Sequence, residues 1–171
     1  MHVKFHRAVT LADRARDAWR GARGLVELDR LREASRRSLP CVEGLAAGRI
    51  ETADGSRSFV VTRSVPGANP LPRGPLSAEQ ATAAGCLLRS AHDAGLHARD
   101  LHPANVLCRP DGSLLLCDLT SATWAEPLDA RDRARGLAFF CQDLYGGVDD
   151  PAAVPLIRAY SPTPLTLACA T

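Results

Sequence analysis

The chain has almost no lysine: Lys4 stands alone against 20 arginines in 171 residues. That bias fits a GC-rich coding sequence, and it makes the single lysine, within Val3-Lys4-Phe5, conspicuous. No run of 18 apolar residues occurs, which argues against a membrane-crossing helix. The N-terminal stretch Met1 to Arg7 has no apolar leader core, so a cytoplasmic protein is the expectation. The six cysteines include no CxxC pair, which removes the common zinc spacings. Reduced thiols inside apolar runs are expected, including Cys108 and Cys117, which a hairpin would set opposite each other. The net charge of +2 is too small to argue for nucleic acid. There is no internal repeat and no low-complexity tract.

What remains is a globular composition, 46% hydrophobic and 23% charged, able to bury a core, and a length that favours one domain or one small two-lobed unit. Charge is uneven along the chain. Residues 1–40 carry ten Lys/Arg against five Asp/Glu, an excess that reads as a solvated basic helix face or as attraction to phosphate-rich ligands or an anionic membrane surface. Residues 2–9 suit a short strand. Residues 13–34 suit a helix whose stripe is Leu11, Ala15, Ala18, Ala22, Leu25 and Leu28, widened by Trp19 and Val26. Asp13 is a cap-region residue, Asp17 suits the first turn, Gly21 and Gly24 weaken the helix, and Pro40 ends the region. Residues 50–62 look like a hairpin turning at Asp54-Gly55.

Between Ser64 and Pro75 lie four prolines and two glycines, the composition of a linker. A helix is expected from Ser77 to Ala94, opened by a Ser77/Gln80 capping box and closed by Gly95. Its buried stripe would be Ala83, Leu87, Ala91 and Ala94. The short apolar runs Val106–Cys108 and Leu114–Cys117 flank the turn Pro110-Asp111-Gly112. Residues 129–145 and 151–160 read as further helices, with Arg131, Arg133 and Arg135 as a solvated face.

The chemistry concentrates in His97-Ala-Arg-Asp-Leu-His-Pro-Ala-Asn-Val-Leu-Cys108 and Asp118. Asp100 and Asn105 are five residues apart, and Asp118 follows thirteen later, across the hairpin. Phosphoryl transfer from ATP needs a carboxylate that orients the acceptor hydroxyl, plus an amide and a second carboxylate that hold Mg²⁺ on the phosphates. Asp and Asn also cap loops, but the spacing between a helix and a hairpin favours the catalytic reading. His97 and His102 are read as packing or hydrogen-bonding within this loop rather than as metal ligands.

The stretch His92 to Asp118 resembles the lipopolysaccharide kinase family, the Kdo/WaaP group of the protein-kinase-like superfamily. The likeness rests on His92-x-x-Gly95-Leu96 and Asp100-Leu-His-x-x-Asn105-Val-Leu107. Phe59 to Ala68 is similar to that family's last N-lobe strand and hinge, and Arg16 to Ala22 to its first long helix. The resemblance implies an α+β, two-lobed kinase-like fold. Its parts would be a truncated N-lobe at 1–63, a hinge at 64–76, a short, mainly helical C-lobe at 77–160 and a tail at 161–171. It implies ATP and Mg²⁺ as cofactors and a sugar of the lipopolysaccharide core as acceptor, with possible location at the inner membrane. Asp100 would be the catalytic carboxylate, Asn105 and Asp118 the metal ligands, and Lys4 the phosphate contact. The backbone at Arg63, Ser64 and Val65 would meet the adenine.

Four departures accompany the likeness. Ala98 stands where the family has a histidine two residues before the catalytic acid, with His97 one position off. Asp-Phe-Gly is replaced by Asp118-Leu119-Thr120. The acidic partner of Lys4 is open between Asp17 and Glu27. Three residues precede Lys4 and no glycine-rich loop is present, so a truncated gene model or a fragment is one expectation. A non-catalytic pseudokinase used as a binding module is a second reading. A small-molecule kinase of the aminoglycoside type is a third.

Overall fold

The computed structural model describes residues 1–7, 21–53, 55–98, 100–125 and 128–161. The chain is α+β, with small antiparallel sheets and four α-helices among the described residues. Strand β1 (His2–Arg7) pairs antiparallel with β3 (Gly55–Thr62), which also pairs with β2 (Gly44–Thr52), giving the order β1-β3-β2. Helix α1 (Arg23–Arg36) packs on β2 and β3. The second sheet joins β4 (Asn69–Pro70), β6 (Val106–Cys108) and β7 (Leu114–Leu116). Strand β5 (Leu96–His97) pairs with β8 (Thr123–Trp124). Helices α2 (Ala78–Asp93), α3 (Ala130–Tyr145) and α4 (Val154–Tyr160) complete the fold.

Several elements follow from local chemistry. Ser77 accepts from the Gln80 amide and the Gln80 side chain accepts from the Ser77 amide, so the capping box opens α2 as expected. Gly95 takes a left-handed φ of 80° just past the α2 C-cap. Asp129 caps α3, and Gly146, also left-handed, ends it. Pro151 opens a single 3₁₀ turn, and α4 follows from Val154.

Helix α1 differs from the periodic reading. Its described part begins at Arg23, and Gly21 lies outside it at φ 88°. Leu11, Asp13, Ala15, Asp17, Ala18 and Trp19 lie outside the described residues. The buried positions are Gly24, Glu27, Leu28, Leu31 and Ala34, while Leu25 is exposed. Gly24 does more than dilute helix propensity. A Cβ there would meet the Phe59 carbonyl oxygen at 2.2 Å, so the glycine lets α1 lie directly on β3. Its amide donates to the buried Ser58 hydroxyl at 3.2 Å, supplying the cap that Ala22 cannot.

The hairpin reaches back to Gly44, six residues before the expected start. Gly44-Leu-Ala-Ala-Gly-Arg49 has few β-branched or aromatic residues, so propensity hides a strand that pairing with β3 creates. Asp54 of the expected turn lies outside the described residues. The segment 64–76 is more than a linker: β4 pairs with β6, the Leu71 amide donates to Val106 O, and Leu71 is buried.

One core cluster joins Leu31 and Ala34 of α1 to Leu71, to Leu88 of α2, to Leu116 of β7 and to Phe140 of α3. Cys41, bridged to Leu116, helps stitch the first part of the chain to the second sheet. The described cysteines are all free, with Cys141 buried and Cys86 exposed; Cys169 lies outside them. No helix among the described residues is long and apolar enough to cross a membrane.

Candidate functional site

Alternation along β1 sends Val3 and Phe5 to the exposed face and turns Lys4 and His6 toward α1. There they meet Glu27, a buried carboxylate on the helix face that packs on the sheet. Lys4 Nζ lies 3.2 Å from Glu27 Oε2, and His6 Nε2 lies 3.0 Å from the same oxygen. The acidic partner of Lys4 is therefore Glu27; Asp17, the other candidate, is outside the described residues.

Asp118 stands two residues beyond β7 in a left-handed conformation, φ 53°, which Asp and Asn tolerate better than other side chains do. This turn aims its carboxylate back at the first sheet. Lys4 Nζ is 2.6 Å from Asp118 Oδ1, so one ammonium spans Glu27 and Asp118. Burial by itself would raise the Asp118 carboxyl. The Lys4 hydrogen bond and charge, the Thr120 hydroxyl and the charge of His6 outweigh it and hold the group below its ordinary value.

Thr120 completes the bridge. Its Oγ1 lies 3.0 Å from Glu27 Oε2 and 2.9 Å from Asp118 Oδ1. In the sequence Thr120 stands out only as the residue in place of a glycine, and His6 carries no motif. Strand alternation from Lys4 is the signal that would have found His6. Nothing short of tertiary contact identifies Thr120.

The Asn105 side chain is buried at the end of a 3₁₀ turn, Pro103–Asn105. Its Nδ2 donates to the backbone oxygen of Asp100 at 3.0 Å, which ties down the loop. That bond orients the amide and leaves Oδ1 without a hydrogen-bond partner among the described residues. Asp118 Oδ2 is likewise without one. Two hard oxygens, one amide and one carboxylate, suit Mg²⁺, which needs few protein ligands when phosphates and waters supply the rest. No cluster of three His, Cys, Asp or Glu able to hold a metal occurs among the described residues.

A cavity of about 410 Å³ gathers most of the expected site. Lys4, Asn105 and Asp118 line it together with Arg63, Ser64 and Val65. Val42, Val60 and Leu107 add apolar wall, and Glu27 and Thr62 further polar groups. A mainly apolar cleft of this size with a few convergent polar groups is the general form of a small-molecule site. Arg63 turns its guanidinium to the Glu43 carboxylate, and its backbone amide donates to the Glu43 carbonyl at 2.9 Å.

Asp100 does not line the cavity. It is exposed, and its Oδ1 accepts a hydrogen bond from the Ser121 hydroxyl. Ala98, beside the partly buried His97, has no side-chain donor to offer the loop. The His97 imidazole instead faces Asp132 of α3, with Nδ1 3.9 Å from Oδ2. Of the three arginines on α3, Arg133 is structural: it bonds Asp93, Leu128 O and His92 O. No protein-family model matches this chain, and no curated protein matches it either.

Proposed function

We propose that this chain is an ATP- and Mg²⁺-dependent phosphotransferase of the two-lobed protein-kinase-like type. It resembles the lipopolysaccharide core kinases and passes the γ-phosphoryl group to a sugar hydroxyl. The observation that carries the reading is the convergence of Lys4, Glu27 and Asp118 across a cavity that Asn105 also lines. A buried glutamate on a helix that anchors a strand lysine is the arrangement by which a cationic group is held ready for phosphate. Most of the fold separates these residues in sequence, so local turn chemistry does not account for their meeting.

In this reading residues 1–63 and 77–160 form the two lobes and 64–76 the hinge. The Ser64–Val65 backbone would meet the adenine edge, and Val42, Val60 and Leu107, which line the cavity, would give its ring apolar surface. Lys4 neutralises phosphate charge. Asn105 Oδ1 and the Asp118 carboxylate would hold Mg²⁺, which would supply charge neutralisation during transfer. Asp100 orients the acceptor hydroxyl and receives its proton. Catalysis is then positioning plus preorganised charge.

Mg-ATP should raise the melting temperature, with a stabilisation that follows RT ln(1 + [L]/Kd). Asp118→Asn should abolish the shift without disturbing the backbone, because Asn tolerates the same left-handed φ. No shift with millimolar Mg-ATP removes the reading. Heptose- or Kdo-containing saccharides, compared with aminoglycosides as acceptors of labelled phosphate, then define the acceptor class.

One observation favours a second reading, a pseudokinase. Asp118 Oδ1, an oxygen that the phosphotransferase reading needs for Mg²⁺, is already held by Lys4 and Thr120. Nucleotide binding without transfer to any acceptor is the result that would select it.

A further inference from the structure

Asp118-Leu119-Thr120-Ser121 carries two adjacent hydroxyls that go to different places. Thr120 reaches Glu27 and Asp118, on the side of the lysine and the cavity. Ser121 reaches Oδ1 of Asp100. Between Asp118 and Thr120, Leu119 is buried in the core, and its carbonyl accepts from the Ala122 amide, so the segment is a tight anchored turn. We infer that Ser121 is a positioning residue for Asp100, supplying from the far side of the hairpin the side-chain donor that Ala98 cannot supply. The inference rests on the phosphotransferase reading above.

The physical argument is one of restraint. An exposed aspartate on a loop samples several rotamers, and only some present an oxygen to an acceptor hydroxyl. Asn105 restrains the backbone of Asp100 but not its carboxylate. Among the described residues, Ser121 is the one hydrogen-bond donor to that carboxylate, and it engages a single oxygen. Oδ2 is left for the acceptor. Because Thr120 and Ser121 are consecutive, the same turn sets the spacing between the metal-holding carboxylate and the acceptor-orienting one. Misplacing a reacting group by a fraction of an ångström to an ångström costs roughly ten- to a hundredfold in rate.

The test is a double-mutant cycle on the full chain, read as Mg-ATP turnover with a heptose-containing saccharide. Ser121→Ala should lower kcat roughly tenfold or more while leaving KM for ATP unchanged, and Ser121→Thr should restore it. In an Asp100→Ala background, which removes the acceptor oxygen, the Ser121→Ala change should cost nothing further, because its effect passes through that carboxylate. Equal losses in both backgrounds, or an unchanged kcat in Ser121→Ala, would overturn the inference. Absence of turnover and of Mg-ATP binding in the wild-type chain would instead bring down the phosphotransferase reading, and this inference with it. As a readout independent of turnover, the carboxyl ¹³C resonance of Asp100 should move on Ser121→Ala while that of Asp118 stays. An unmoved Asp100 resonance counts against the contact itself.

Discussion

Lys4 is the residue on which the site turns, and its neighbours say what its removal does. Asp118 is partly buried, and burial is the largest influence on its carboxyl, opposed chiefly by Lys4. Lys4→Met should therefore raise the Asp118 pKa, leaving only Thr120 and His6 against desolvation. A carboxyl ¹³C titration checks the direction, and the Mg-ATP thermal shift should disappear in the same variant. His92 offers a second residue-scale prediction. It is buried, with Nδ1 2.7 Å from the Tyr160 hydroxyl, and burial is the main cause that lowers its pKa from 6.5 to about 4. A folded-state pKa below the unfolded one means that the unfolded chain takes up the proton first. Stability is then full above about pH 6.5 and lost as pH falls toward 4. Between pH 7 and 4.5 the wild type should lose about 2 kcal/mol more than His92→Gln, measured by urea unfolding at both pH values.

At the scale of elements, two glycines mark where backbone meets backbone. A Cβ on Gly24 would strike the Phe59 carbonyl of β3, and one on Gly85 would lie 2.2 Å from the Leu156 oxygen of α4. Gly85→Ala gains helix propensity of up to about 1 kcal/mol but forces α2 away from α4. Overpacking of this kind costs roughly 1–3 kcal/mol, and backbone contacts relax least. We expect net destabilisation, visible as a lower urea midpoint with an unchanged m-value. The capping box of α2, the hairpin of β6 and β7 and the Asp129 start of α3 were all legible, because each depends on residues within a few positions. Strand β2 before Ile50 and strand β4 were not, because pairing across the sheet, rather than the residues' own preference, makes them strands.

For the molecule as a whole, the question is whether its two parts stand alone. The expected hinge at 64–76 suggests separable halves, yet Leu31 and Ala34 of α1 share a core with Leu88, Leu116 and Phe140. The Leu116 amide donates to Pro40 O and its carbonyl accepts from the Val42 amide, so backbone bonds also cross between the parts. Unfolding should appear as a single cooperative transition by calorimetry, with calorimetric and van't Hoff enthalpies in agreement. Phe140→Ala should lower stability by about 3–5 kcal/mol and shift that one transition rather than split it.

The order of the chemical groups was written in the sequence: a lone lysine on a strand, then Asp100, Asn105 and Asp118 at spacings set by one loop and one hairpin. Spacing along a short loop survives folding nearly unchanged, which is why those residues could be chosen without coordinates. Only tertiary structure decided that Glu27 rather than another acid takes Lys4, that Thr120 bridges Glu27 to Asp118, and that Ser121 holds Asp100. These contacts join residues from 2 to 93 positions apart. Their geometry comes from the left-handed turn at Asp118 and from α1 lying on β3, neither of which any local pattern encodes.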